Sequence, residues 1–133
     1  MHPNIEPIIP AGANPKSTFS PAVRAGDFIY VSGMTAMDEK RQIVGAGDIA
    51  AQARFIYSKI AKVLEAAGAD LGHIVETVDY VTTFEGYEET AAVRREVFGG
   101  GPFPTATGVK VSELVRPAAL IEIRAVAYVG GQK

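Results

Sequence analysis

Phe103–Val129 reads FPTATGVKVSELVRPAALIEIRAVAYV, and its pattern is that of two strands joined by a loop. Successive side chains on a strand point to opposite faces. In the second strand Ile121, Ile123, Ala125, Ala127 and Val129 therefore form one apolar face. Leu120, Glu122, Arg124, Val126 and Tyr128 form the other. A charged pair inside so apolar a strand has two readings: the face is simply wet, or it lines a pocket or a subunit interface. Glu122 is the acidic residue on which chemistry is most readily placed. It can hold a water and move a proton, or it can serve only the sheet, paired with Arg124 or Lys110.

The rest of the chain limits the alternatives. Its 133 residues are enough for one domain with a real core, spanning 1–133. Net charge is -2, from 13 basic and 15 acidic residues spread along the chain. No basic tract points to nucleic acid. With no cysteine, thiolate nucleophiles, disulfides and cysteine-ligated zinc are excluded. The two histidines, His2 and His73, are too few and too scattered for a triad or a metal site within one chain. The N-terminal residues lack the pattern of a signal peptide, and no apolar run is long enough to span a bilayer. The expectation is a soluble, cytoplasmic protein with no metal and no membrane partner.

Residues 1–20 carry Pro3, Pro7, Pro10 and Pro15 and read as an extended arm or a short edge strand, because proline removes a backbone donor. Ala22–Asp27 makes a short strand and a turn, followed by the β-prone Phe28–Gly33, where Gly33 permits a bulge or a close approach. Asp38–Gly47 is a loop. Asp48 caps a helix whose apolar stripe is Ile49, Ala53, Ile56, Ile60, Val63, Leu64 and Ala67, and Gly68 stops it. Val75–Phe84 reads as a strand with Asp79 on the same parity as Val75 and Val81, so that Asp79 either pairs with a cation or lies at an edge. Tyr87–Phe98 reads as a second helix with Thr90, Val93 and Val97 inward; Arg94 and Arg95 are adjacent, so at most one can face a given site, and the other reading is that both are solvated. Gly99–Gly100–Gly101–Pro102 ends it without the features of a phosphate loop. The order predicts an α+β fold: a mixed sheet with two helices on one face, the other face carrying Glu122, Arg124 and Lys110. A partly apolar open face of this kind points to an oligomer.

These residues also carry a family resemblance. Gly26–Gly33 (GDFIYVSG), the QAR and VLEAAGA segments of 48–68, Val75–Phe84, Phe103–Pro104 and Leu120–Ile123 occur in an order and spacing that resembles the RidA/YjgF family, also called endoribonuclease L-PSP. The resemblance covers nearly the whole chain. It implies a chorismate-mutase-like fold and a homotrimer with ligand clefts between subunits. It further implies hydrolysis of reactive enamines or imines to a ketone or 2-oxo acid plus ammonia, with no cofactor. The implied catalytic residue is Glu122, and the implied substrate-binding residues are Phe19, Ser32, Gly33, Ala106, Thr107 and Gly108. Three positions depart from the family: its carboxylate-binding arginine falls on Ala106, its pocket tyrosine on Phe19 and a helical asparagine on Ala91. Arginine grips a carboxylate bidentately and alanine offers nothing. The resemblance therefore implies a more apolar cleft, and it leaves three readings: an imine hydrolase, a non-catalytic small-ligand-binding trimer, and an RNase or translation inhibitor. The last fits least, because the chain is acidic overall and lacks basic clusters.

Overall fold

The computed structural model describes residues 1–131. Six strands form one sheet: β1 (Ile5–Ile8), β2 (Ala22–Ala25), β3 (Phe28–Met34), β4 (Ile74–Val81), β5 (Thr105–Lys110) and β6 (Ile121–Tyr128). Their spatial order is β1-β2-β3-β6-β4-β5. All neighbours are antiparallel except β4 and β5, which are parallel. Two helices, α1 (Ile49–Ala66) and α2 (Thr90–Val97), cover one face. The sheet is therefore mixed, as the sequence predicts.

The local causes are visible in each element. Asp48 caps α1 by accepting a hydrogen bond from the Ala51 amide at 3.0 Å, a contact worth about 1 kcal/mol. Gly68, at φ +75°, turns the chain out of the helix in a conformation that only glycine adopts without strain. Ile56, Ile60 and Leu64 on α1 are fully buried, as are Ile29 of β3, Ile121 of β6 and Val81 of β4. Each such side chain contributes about 1.5–3 kcal/mol relative to exposure. Gln52 is buried among them, with all its bonds made: it donates to the carbonyls of Gly45 and Ala118 and accepts from the Leu120 amide. That glutamine ties α1 to the loop entering β6, and nothing in its sequence setting marks it as a core residue.

Several expectations need correction. The N-terminal arm does form an edge strand, β1, and a register shift between Val31 and Met34 marks the bulge expected at Gly33. A second shift, between Ile74 and Glu76 of β4, is not visible in the sequence. It turns Val75 outward, while Thr77, Asp79 and Val81 face the helices. Val75 and Asp79 therefore do not share a face. Lys110 is in register with the fully buried Val81, so it lies on the helix side of the sheet, and the open face does not carry it. The second helix opens with a 3-10 turn over Tyr87–Glu89, and its regular part begins at Thr90.

Candidate functional site

On β6 the burial alternates strictly, with Ile121, Ile123, Ala125 and Ala127 against the helices. Glu122 is thereby placed on the open face, half-buried, in register with Tyr80 of β4. No ion pair or hydrogen bond engages its carboxylate among the described residues. Its two expected partners are accounted for elsewhere. Arg124 lies 3.7 Å from Glu76, and Lys110 is on the other side of the sheet. The missing side chain of Gly33 makes room for Glu122: a Cβ there would sit 2.5 Å from Glu122 Oε2. A carboxylate held against backbone, open to solvent and without a cation, is suited to accept a proton from a positioned water.

Ser32 joins this region to the arm. Its hydroxyl donates to the Ser20 carbonyl at 2.7 Å and its amide to the Pro21 carbonyl at 2.9 Å. Phe19, directly before Ser20, is 68% exposed. The fold thus brings Phe19, Ser32, Gly33 and Glu122 into one neighbourhood. It does not bring Ala106, Thr107 and Gly108 there. These lie on the edge strand β5, with β4 between them and β6. Ala106 is in register with Thr77 and Gly108 with Asp79, on the helix side, whereas Thr107 pairs with Val78 and faces the open side. Within one chain, Glu122 and Ala106 are on opposite faces of the sheet.

The residues beside Ala106 and Gly108 form a polar cluster between sheet and helices. Asp79 is 4% exposed. Its Oδ2 accepts from the Tyr87 hydroxyl at 2.7 Å, and its Oδ1 has no partner. Burial pushes the Asp79 carboxyl above the usual range, opposed by the Tyr87 hydrogen bond and by the charge of Arg94. The same burial raises Tyr87, and Asp79 raises it further. The space over Gly108 is taken by the Tyr87 hydroxyl, so that only glycine fits there. Arg94 does not run out into solvent as expected. Its Nη1 donates to the Tyr57 hydroxyl at 2.9 Å and to Thr77 Oγ1 at 2.8 Å, its Nη2 to the Pro104 carbonyl at 3.5 Å, and it lies 5.2 Å from the centre of the Phe98 ring. Tyr57, buried beneath it, is pushed up to about 12 by desolvation. Helical spacing alone did not separate Arg94 from Arg95. The only available signal was that Arg94 follows the inward Val93.

The chain matches the family model described as Endoribonuclease L-PSP over residues 11–129. It belongs to that family. A RutC family protein of Pyrococcus horikoshii is 33% identical over 114 residues, which is 86% of this chain and 89% of that protein. Among solved structures, a YjgF/YER057c/UK114 family member from Mycobacterium tuberculosis is 38% identical, with a TM-score of 0.72 over 84% of this chain and 86% of that one. A Rid family protein from Yersinia pestis is 27% identical, with a TM-score of 0.84 over 94% and 99%. The RidA/YjgF resemblance and the mixed-sheet fold expected from the sequence are both upheld. No helix among the described residues is long and apolar enough to cross a membrane. No group of three or more metal-ligating side chains occurs among them.

Proposed function

We propose that this chain is a Rid-type hydrolase of a small imine or enamine, with its site in a cleft between copies of a homotrimer. The observation that carries the reading is Glu122, a half-buried carboxylate without a partner, set against the backbone at Gly33. In an imine, water adds across C=N. A C–O bond forms, one water proton passes to the Glu122 carboxylate, and Glu122 hands it to the imine nitrogen to give the carbinolamine. The carbinolamine then collapses: Glu122 takes the hydroxyl proton and delivers it to the amine nitrogen as the C–N bond breaks, and a ketone or 2-oxo acid leaves with ammonia. An enamine enters the same route after protonation at carbon.

The separation of the two residue sets supports a shared site: Ala106 and Gly108 face the helices, opposite Glu122, and Thr107, on the open face, is kept from β6 by β4. Phe19, Ser32, Gly33 and Glu122 would meet Ala106 and Gly108 if the edge strand came from another copy. The open face carries Phe28, Tyr30, Val109 and Tyr128, each more than a third exposed, and covering such a face favours association. The absence of a donor at Ala106 favours a second reading, a trimer that binds a small ligand without chemistry.

An ammonia-release screen over freshly generated imines separates the two. Turnover by the wild-type chain and its loss in Glu122→Gln, at unchanged melting temperature, is the expected result. Release at near wild-type rate from Glu122→Gln removes Glu122 from the role. Light scattering after size exclusion checks the trimer, and a monomer at micromolar concentration would sink the shared cleft.

A further inference from the structure

We propose that the edge-strand side of the shared cleft selects against anions, so that the substrate is the imine or enamine of a ketone with an aromatic group where a 2-oxo acid has its carboxylate. This substrate class deepens the hydrolase reading and rests on it for the shared cleft, while its test measures binding alone.

The helix side of β5 presents an aromatic surface. Ala106 and Gly108 lie on that side, and the strand is exposed along its whole length. Neither residue has a polar side chain. A Cβ on Gly108 would meet the Tyr87 hydroxyl, so Tyr87 occupies the place that a side chain at 108 would take. The Tyr87 ring packs against Phe84, with centres 5.9 Å apart and planes at 48°. Phe84 itself is 53% exposed. The two rings thus run from solvent to the edge strand, and a third ring can join them edge-to-face or offset.

The charges behind that surface disfavour a carboxylate. The Tyr87 hydroxyl is already committed, because it donates to Asp79 Oδ2 at 2.7 Å. Asp79 is buried, its Oδ1 has no partner, and no cation lies within ion-pair distance of it among the described residues. Ionised, Asp79 repels a second carboxylate; protonated, it is still buried behind Tyr87. Arg94, whose charge acts on Asp79, is turned to the Tyr57 hydroxyl, Thr77 and the Pro104 carbonyl. Lys110 shares the helix side of β5 but stands two positions beyond Gly108, about 7 Å along the strand. A carboxylate placed over Ala106 and Gly108 therefore loses water and gains no donor from either side chain. An aromatic ring loses little there and gains the two rings.

The test is an NMR titration of the intact 15N-labelled chain with acetophenone and with sodium pyruvate, methyl ketones that differ in carrying a phenyl group or a carboxylate. Sodium chloride is matched for ionic strength. Acetophenone is expected to shift the Ala106 and Gly108 amides saturably and to bind at least tenfold more tightly than pyruvate. Phe84→Ala changes an exposed side chain and should weaken acetophenone at least threefold. Ala106→Arg supplies a guanidinium on the exposed strand and should reverse the preference. Pyruvate binding as tightly as acetophenone in the wild-type chain overturns the proposal, because Arg94 or Lys110 would then be gripping the carboxylate. So does an acetophenone response that is absent, lies away from β5, or is unchanged in Phe84→Ala, and so does a preference unchanged in Ala106→Arg. Selective acetophenone binding without ammonia release from its imine refutes the hydrolase and leaves the selectivity standing. Tight pyruvate binding with turnover does the reverse.

Discussion

Tyr87→Phe removes one hydroxyl from the buried cluster, and its cost should depend on pH. The hydroxyl donates to Asp79 Oδ2 at 2.7 Å, and Asp79 Oδ1 has no partner. After the substitution neither carboxyl oxygen has a protein donor. A hydrogen bond between neutral groups contributes about 0.5–1.5 kcal/mol net, and one to a charged group about 1.5–3 kcal/mol. Which range applies depends on whether Asp79 is ionised. Desolvation is the largest cause acting on Asp79 and raises its pKa in the folded state. The stability gained from a raised carboxyl is fully present below the unfolded-state pKa and is lost as pH rises through the folded-state pKa. The Tyr87 hydrogen bond opposes the rise by holding the ionised form. Removing it therefore moves the folded pKa further up, and the penalty grows with pH. We expect about 1 kcal/mol near pH 4 and about 2–3 kcal/mol near pH 8. The phenol itself is raised and stays protonated across that window. Urea unfolding at pH 4, 6 and 8, at one protein concentration, measures the difference. Asp79→Asn, which cannot titrate, should flatten the pH dependence of the Tyr87→Phe penalty. A penalty that is constant or shrinks with pH in the Asp79 background would refute the reasoning.

Three further outcomes are expected. Gly108→Ala places a Cβ against the Tyr87 hydroxyl and 3.1 Å from its Cζ. It should cost roughly 1–3 kcal/mol in thermal or urea unfolding, and less in a Tyr87→Phe background where the hydroxyl is gone. Gly33→Ala meets the far end of a flexible side chain, Glu122 Oε2 at 2.5 Å, so the melting temperature should hardly change while any turnover found by screening falls as the carboxylate is displaced. Gln52→Leu strands the carbonyls of Gly45 and Ala118 and the amide of Leu120. It should cost roughly 3 kcal/mol or more, and a loss below 1 kcal/mol in urea unfolding would show that those groups find other partners.

Local pattern was sufficient for the elements that repeat it. The period-two alternation of Ile121–Val129 assigned both faces of β6 correctly, because a strand flanked by others has no freedom to rotate without exposing its whole apolar set. The stripe and cap of α1 were equally legible, since Asp48 and Gly68 act within one helical turn of their positions. Gly33 was rightly read as a place of bulge or close approach, although the group that approaches, Glu122, is 89 positions away and no local rule names it. The site was legible only as a set of residue types. Glu122 stood out by chemistry, but its freedom from Arg124 and Lys110 follows from strand register, which two extended segments do not reveal until they are paired. The bulge near Val75 turned that residue to the other face, while Asp79 and Val81 kept the shared face that alternation gave them. Arg94 needed three elements at once: α1 for Tyr57, β4 for Thr77 and the start of β5 for Pro104. The sequence by itself determined which segments would be strands and helices and which faces would be apolar, because those depend on neighbours within a turn or a pleat. Tertiary structure decided which charges meet, because a charge's partner is set by distances between segments that the chain order does not constrain.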